Sequence, residues 1–174
     1  MDKTKTQTDV QEISEEKVTQ YLTFILEDEQ YAVNVLYVWK VLAYTQITKM
    51  PNTPDHVRGV INLHGSVVPV MDLRKKFGMS QTEKTIDTSI IAMELEMEDK
   101  KLPVAVLADA VKEVIDINED DIEPPPKVGT HIDNSLMQGI GKKDEEFVII
   151  LDIEKVFSLE ELQAGGNADS TESE

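Results

Sequence analysis

Apolar and polar residues alternate in short runs along most of the chain, with the period of two that half-buried β-strands have. Leu22, Phe24 and Leu26 form one run and Tyr31, Val33 and Val35 the next, with the polar EDEQ as a turn between them, so a hairpin is expected. Met93, Leu95 and Met97 alternate with Glu94, Glu96 and Glu98, and the turn DKK leads to a strand through Val104 and Val106, a second hairpin. Gly65-Ser66 lies between NLH and VVPV, where Gly first in a two-residue loop suits a type II′ turn; Pro69 points to an edge or non-donating position. Helix signals are few. Asp72 can cap LRKKF, with cations late in that turn and Gly78 to close it, and Ser158 with Glu161 has the spacing of a capping box. The pattern predicts an all-β fold with short helical turns, one of them near the C-terminus.

The same order of elements occurs twice. A shift of 80 residues sets VPVMDLRKKFG (68–78) over VIILDIEKVFS (148–158), matching Asp72 to Asp152, Lys75 to Lys155, Phe77 to Phe157 and, upstream, Gly59 to Gly139. At a shift of 71, Leu22, Phe24 and Leu26 fall on Met93, Leu95 and Met97, and AVNVL (32–36) falls on PVAVL (103–107). Short apolar strands match by chance, but a preserved order of hairpin, strand, Gly turn, strand and Asp-capped helix points to an internal duplication. Each copy is roughly 60 to 70 residues long, about the size of a five-stranded closed sheet and marginal alone, so the two are expected to pack together. The groove and barrel ends of such a body suit docking of a helix or another barrel. Residues 1–19 and 164–174 are polar and lack apolar anchors, so both are expected to be disordered tails.

Composition narrows the partners. Asp and Glu number 34 against 17 Lys and Arg, a net charge of -17. That charge repels phosphate backbones and anionic lipid at long range, so neither nucleic acid nor direct membrane insertion is expected; it serves solubility or attracts a basic partner helix. There is no cysteine, no apolar run near the roughly 20 residues of a membrane span and no basic-then-apolar leader pattern, so a cytoplasmic location is expected.

Catalytic chemistry finds little support. His56, His64 and His131 have no spacing that sets two on one helical face, so no metal site is expected. Glu119, Asp120, Asp121 and Glu123 lack the ligand alternation and central Gly of a calcium loop and read as a solvated turn before Pro124-Pro125-Pro126. Phosphate-binding loops and a nucleophile elbow are absent, and no cofactor is expected. Asp72 and Asp152 can be imagined as an acid–base pair, but their duplicated helix-start position favours capping.

VRGVINLHGSVVPVMDLRKKFG (57–78), read with MPNTP (50–54), resembles the CheW family, whose pattern is close to NTPxxxxGxxNLRGxxxPxxDLRxxFG. The resemblance continues through VLADAVKEVIDI (106–117), PPP (124–126), GIGK (139–142) and ILDIEKVF (150–157), and covers about residues 20 to 160. It implies two intertwined SH3-like five-stranded β-barrels, approximately 20–85 and 86–160. It further implies a receptor-binding groove between them and a barrel end that docks on the regulatory domain of the histidine kinase CheA. The implied function is a non-catalytic adaptor that couples chemoreceptor signalling tips to CheA beside membrane-bound arrays, with other copies of the family as possible ring partners. The chain has room for neither the receiver domain of CheV nor the phosphotransfer and ATP-binding domains of CheA. A small-ligand protein or enzyme using the inter-barrel groove is the rival reading.

Two positions depart from the family. Lys40 (VWKV) stands where the family usually carries Glu and His64 (NLHG) where it carries Arg, two residues the resemblance implies as an ion pair near the groove. Here that bond cannot form, which either alters partner recognition or is drift at exposed sites. The candidate groove residues are Val38, Lys40, Val41, Gly59, Asn62, His64 and Gly65 in the first half, with Val111 and Glu113 in the second. The three valines suit a core equally well, and Gly59 and Gly65 suit turns. Lys40 and His64 are the residues on which function is expected to rest.

Overall fold

The structure, a computed structural model, describes residues 17–126, 132–159 and 161–162. Its strands are β1 (Val18–Leu26), β2 (Glu29–Asn34), β3 (Val38–Ala43), β4 (Val57–Leu63), β5 (Ser66–Asp72), β6 (Ser89–Met97), β7 (Lys100–Ala108), β8 (Ala110–Asn118), β9 (Met137–Lys143) and β10 (Glu146–Leu151). One-turn helices α1 (Leu73–Lys76) and α2 (Ile153–Val156) follow β5 and β10, and a 3-10 turn, Val35–Tyr37, joins β2 to β3. Val18 and Thr19, expected in the N-terminal tail, pair instead with Asn118 and Ile117. The remaining N-terminal residues, the expected C-terminal tail and His131 lie outside the described residues.

The strands form two five-stranded sheets, in the orders β8-β1-β2-β10-β9 and β3-β6-β7-β5-β4. If β6 answers β1, β7 answers β2, β3 answers β8, β4 answers β9 and β5 answers β10, the two orders are the same. The parallel pairs agree as well, β10 with β2 and β5 with β7. The duplicated halves therefore exchange parts: each gives its first hairpin to one sheet and its other three strands to the other. A division near residue 85 separates the copies but not the sheets, because one sheet takes 18–34 and 110–151 and the other takes 38–108. Apolar alternation identifies a strand and its faces but carries no label for its neighbour, so the exchange is invisible to it.

Exchange gives the central hairpins two buried faces. On β1, Tyr21 points with Ala32, Ile115, Ile117, Val148 and Ile150 into the core of its own sheet. Leu22, Phe24 and Leu26, one residue out of phase, join Met71, Leu73, Ile91, Met93 and Leu95 in the core between the sheets. A third core fills the other sheet, with Ile61, Leu63, Val68, Val70, Ile90 and Leu107. The duplicated Phe77 and Phe157 both enter the middle core, where Tyr31 stacks between Phe24 and Phe77 at centroid distances of 6.0 and 6.2 Å.

Turn chemistry follows the register. Leu63 pairs with Ser66, leaving His64-Gly65 as the two-residue loop. Both have positive φ, 53° and 86°, so the turn is type I′ with His64 first, not type II′ beginning at Gly65. The same geometry recurs at Glu98-Asp99 and Asp144-Glu145. Pro69 lies in the interior strand β5, paired to Val60, one residue before the parallel ladder to β7 begins at Val70; its missing N–H costs no ladder bond there.

Gly59 and Gly139 are equivalent, but Gly59 does not serve a turn. Beyond β3 the chain crosses to the opposite edge of its sheet, where Thr48 and Val60 exchange backbone hydrogen bonds of 2.9 and 2.8 Å; Glu123 and Ile140 do the same in the other sheet. A Cβ on Gly59 would lie 2.1 Å from the Thr48 carbonyl oxygen, and one on Gly139 2.5 Å from that of Glu123. Each glycine admits the crossing strand.

Asp72 caps α1 as expected, accepting from the N–H groups of Arg74 and Lys75. Its counterpart Asp152 occupies the N-cap position of α2 without a side-chain cap bond. Ser158 and Glu161 close their capping box in both directions, at 2.9 and 3.1 Å.

Candidate partner-binding surface

The second sheet presents β3 as one edge and β4 as the other. The ladder from β3 to β6 passes from Val38 opposite Met93 to Lys40 opposite Ala92, so Trp39 is an extra, bulged residue. A bulge re-aims a side chain on an edge strand. Here it turns the Trp39 ring toward His64, with 5.9 Å between centroids and a 49° tilt. The Asn62 carboxamide oxygen accepts from the Gly65 N–H at 3.0 Å and fixes the turn that carries His64.

Around this pair the surface is open. Trp39 keeps 44% of its surface and Val41 41%. Lys40 is exposed and, among the described residues, joins no ion pair. An exposed aromatic and an aliphatic side chain of the β3 edge, with Lys40 between them and His64 of the β4–β5 turn against the ring, therefore share one surface of a protein whose net charge is -17.

The candidate residues thus divide. Lys40, Val41, Asn62, His64 and Gly65 belong to β3, the end of β4 and the β4–β5 turn. Val38 and Val111 are half-buried and pack against the middle core. Gly59 is buried and belongs to packing. Glu113 is exposed on β8, the edge of the other sheet, with its backbone fixed by Thr23. Trp39, the residue that meets His64, was not among the sequence candidates; its signal is an aromatic at the point where the alternation of VWKV breaks.

The titratable groups that are best held serve packing. Asp72 is fully buried, and beyond its cap bonds it accepts from Arg58 at 3.1 Å and from the Thr82 hydroxyl and N–H at 2.7 and 3.0 Å. With so many donors it has no free lone pair for acid–base work. Glu161 joins Lys76 and lies 2.5 Å from His56 Nε2, an electrostatic contact without hydrogen-bond alignment. Burial pushes the Glu161 carboxyl upward, yet Lys76, the Ser158 N–H and His56 outweigh it and hold the group below its ordinary value. Among the described residues no three His, Asp or Glu side chains converge as a metal ion would need, and no helix is long and apolar enough to cross a membrane.

Residues 20–161 match the family model described as the CheW-like domain. The chain is similar to the chemotaxis protein CheW of Klebsiella aerogenes, 32% identical over 143 residues that cover 82% of this chain and 84% of that one. It is similar also to the CheW of Helicobacter pylori, 34% identical over 141 residues covering 81% and 82%. Among solved structures it resembles the scaffolding protein CheW of Thermoanaerobacter tengcongensis, with a TM-score of 0.72, 37% identity and coverage of 83% of this chain and 91% of that one. On the family match and these relatives, the chain belongs to the CheW family of chemotaxis scaffold proteins.

Proposed function

We propose that this protein is a non-catalytic adaptor that couples chemoreceptor signalling tips to the histidine kinase CheA in the cytoplasm, held at membrane-bound arrays through its partners. The observation that carries the reading is the Trp39–His64 contact on the β3 edge. It builds an exposed aromatic patch on rigid strands, the kind of anchor that dominates binding energy at protein interfaces. Lys40 borders that anchor and favours a receptor tip that presents acidic side chains, with the His64 ring as a further hydrogen-bonding group. In this reading each sheet, with its crossing bridge at Thr48–Val60 or Glu123–Ile140, closes as an SH3-like barrel, and a barrel end meets the regulatory domain of CheA. Val38, Val111 and Glu113 border the receptor groove. Signalling requires only that partner affinities differ between two receptor states, by about 1 to 3 kcal/mol.

The test is a titration of the protein against CheA and a receptor signalling-tip fragment from the same cell. Native protein, a Trp39→Ala variant and a Lys40→Glu, His64→Arg double variant are compared. Binding to both partners, lost at the receptor with Trp39→Ala and shifted in receptor preference by the double variant, supports the adaptor and its site. Failure of the native protein to bind either partner overturns the adaptor. Unchanged receptor binding in both variants moves the site elsewhere.

A further inference from the structure

Between its strands the chain passes from one sheet to the other twice. After β2 it takes the three-residue turn Val35–Tyr37 to reach β3, but after β7 it enters β8 through Asp109 alone. Arg74 of α1 grips this second crossing. Its Nη1 donates to both Asp109 carboxylate oxygens at 3.1 and 3.0 Å, its Nη2 to the Ser80 hydroxyl at 2.7 Å and to Glu27 at 3.3 Å, and its Nε to the Ser80 carbonyl at 3.0 Å. Asp109 accepts in turn from the Glu27 N–H at 2.6 Å, and its own N–H donates to the Ile25 carbonyl at 2.9 Å. Arg74 and Asp109 expose only 15% and 21% of their side chains, so the pair is charge-assisted and little screened by salt.

What this grip holds is the start of β8. Two residues beyond Asp109, Val111 pairs with Phe24; the register then slips, so that Lys112 and Glu113 together face Thr23 before Val114 pairs with Leu22. The Thr23 hydroxyl binds the backbone of Glu113. Val111 therefore lies between two anchors, Asp109 and Glu113. A bulge already accommodates one extra residue, and a slip of one residue turns side chains to the opposite face. With Asp109 held, the stretch keeps its phase: Val111 packs against the middle core and Glu113 faces outward. The duplication shows that crossing between sheets does not itself demand a guanidinium. An 80-residue shift sets Glu154 of α2 over Arg74, and at the Val35–Tyr37 crossing the Tyr37 hydroxyl bonds to that carboxylate. The chain's other arginine, Arg58, holds Asp72.

We propose, resting on the reading of Val111 and Glu113 as groove residues, that Arg74 is a positioning residue for receptor binding. It touches no partner. Acting through Asp109, it sets the phase of β8 and so presents Val111 and Glu113 to the groove. Arginine suits the role better than lysine, because its planar fork reaches Asp109, Glu27 and Ser80 at once, whereas an ammonium is a point charge.

The experiment measures amide exchange of the isotope-labelled full chain and its affinity for the receptor signalling-tip fragment. Native protein is compared with Arg74→Met, which keeps the aliphatic stem without the donors, with Arg74→Lys, which keeps the charge without the fork, and with Val68→Ala. The last truncates the core of the other sheet and controls for lost stability. In Arg74→Met, exchange at Asp109 and Glu113, whose N–H groups donate to Ile25 and Thr23, is expected to accelerate about tenfold more than at Val60 in the other sheet, and receptor affinity to fall about tenfold. Arg74→Lys is expected to show the same pattern to a smaller degree, and it decides the matter should Arg74→Met not fold. Val68→Ala is expected to leave affinity unchanged. Uniform acceleration across both sheets, an unaltered β8, or an equal loss of affinity in Val68→Ala overturns the proposal. Native protein that fails to bind the fragment overturns the adaptor reading itself, whereas native protein that binds no better than Arg74→Met overturns only the role of Arg74.

Discussion

The Thr23 hydroxyl donates to the carbonyl of Glu113 at 2.8 Å and accepts from the N–H of the same residue at 3.1 Å. The β1–β8 register slips here, from Leu22 opposite Val114 to Phe24 opposite Val111, so Lys112 and Glu113 together face Thr23. A bulge takes backbone groups out of the ladder. The buried threonine replaces the lost partners and fixes the strand that carries Glu113.

Replacing Thr23 by Val keeps the shape and removes both bonds. Urea unfolding is expected to show a loss of about 1 to 3 kcal/mol, the cost of leaving buried polar groups without partners, whereas Thr23→Ser retains most of the stability. Equal losses in the two variants would place the effect in packing instead.

Gly59 and Gly139 offer a graded pair. Alanine at either position meets a crossing carbonyl, and overpacking of this kind costs about 1 to 3 kcal/mol. Gly59 has in addition a φ of 145°, a backbone conformation costly for alanine, so Gly59→Ala is expected to be the more damaging. Gly65→Ala, with φ 86° and nothing within 4 Å of its Cβ, is expected to cost only about 1 kcal/mol. Thermal unfolding of the three variants gives the ranking.

Sequence reasoning reached the hairpins, the Asp72 cap and the equivalence of Gly59 and Gly139, because each depends on local period or local turn chemistry. The residue pattern did not show the exchange of hairpins between sheets, which depends on which of several alike apolar faces meet; only the family resemblance, with its intertwined barrels, pointed to it. The role of Gly59 was hidden for the same reason: the carbonyl it admits comes from Thr48, on a segment with no regular pattern. Lys40 and His64 stand out in the sequence as expected contact positions, but Trp39, the neighbour of His64, depends on a bulge, and a one-residue slip in register leaves little trace in a short strand.

Asp72 and Asp152, equivalent in sequence, are expected to respond differently to alanine. Asp72→Ala strands Arg58 and the Thr82 N–H around a vanished buried carboxylate, with a cost of about 3 to 5 kcal/mol. Asp152 makes no cap bond and an exposed contact to Lys155 at 3.7 Å, so its loss is expected to stay below about 1 kcal/mol. Denaturant titration of both variants separates structural from positional equivalence.

The turn that the Ser158–Glu161 capping box closes is tied down by charge, and its hold should depend on acidity. Glu161 contacts Lys76 of α1 and His56 beside β4, and the adjoining Leu162 is buried in the middle core. Despite the upward push of burial, its partners hold the carboxyl below its ordinary value of 4.5. A group whose folded value is depressed stabilises the fold above its unfolded value, and that contribution fades as pH falls through the folded one. Between neutral pH and about 5 the contribution should be full; below about 4.5 it should decline as the carboxylate takes up its proton. Glu161→Gln removes the titrating group while nearly preserving shape, so the stability gap between native protein and variant should be constant at neutral pH and narrow in acid. Amide exchange at Leu162 should accelerate over the same acid range in the native protein, after correction for the intrinsic rate. A gap that stayed constant down to pH 3 would show that packing of Leu162, and not the carboxylate, holds the turn.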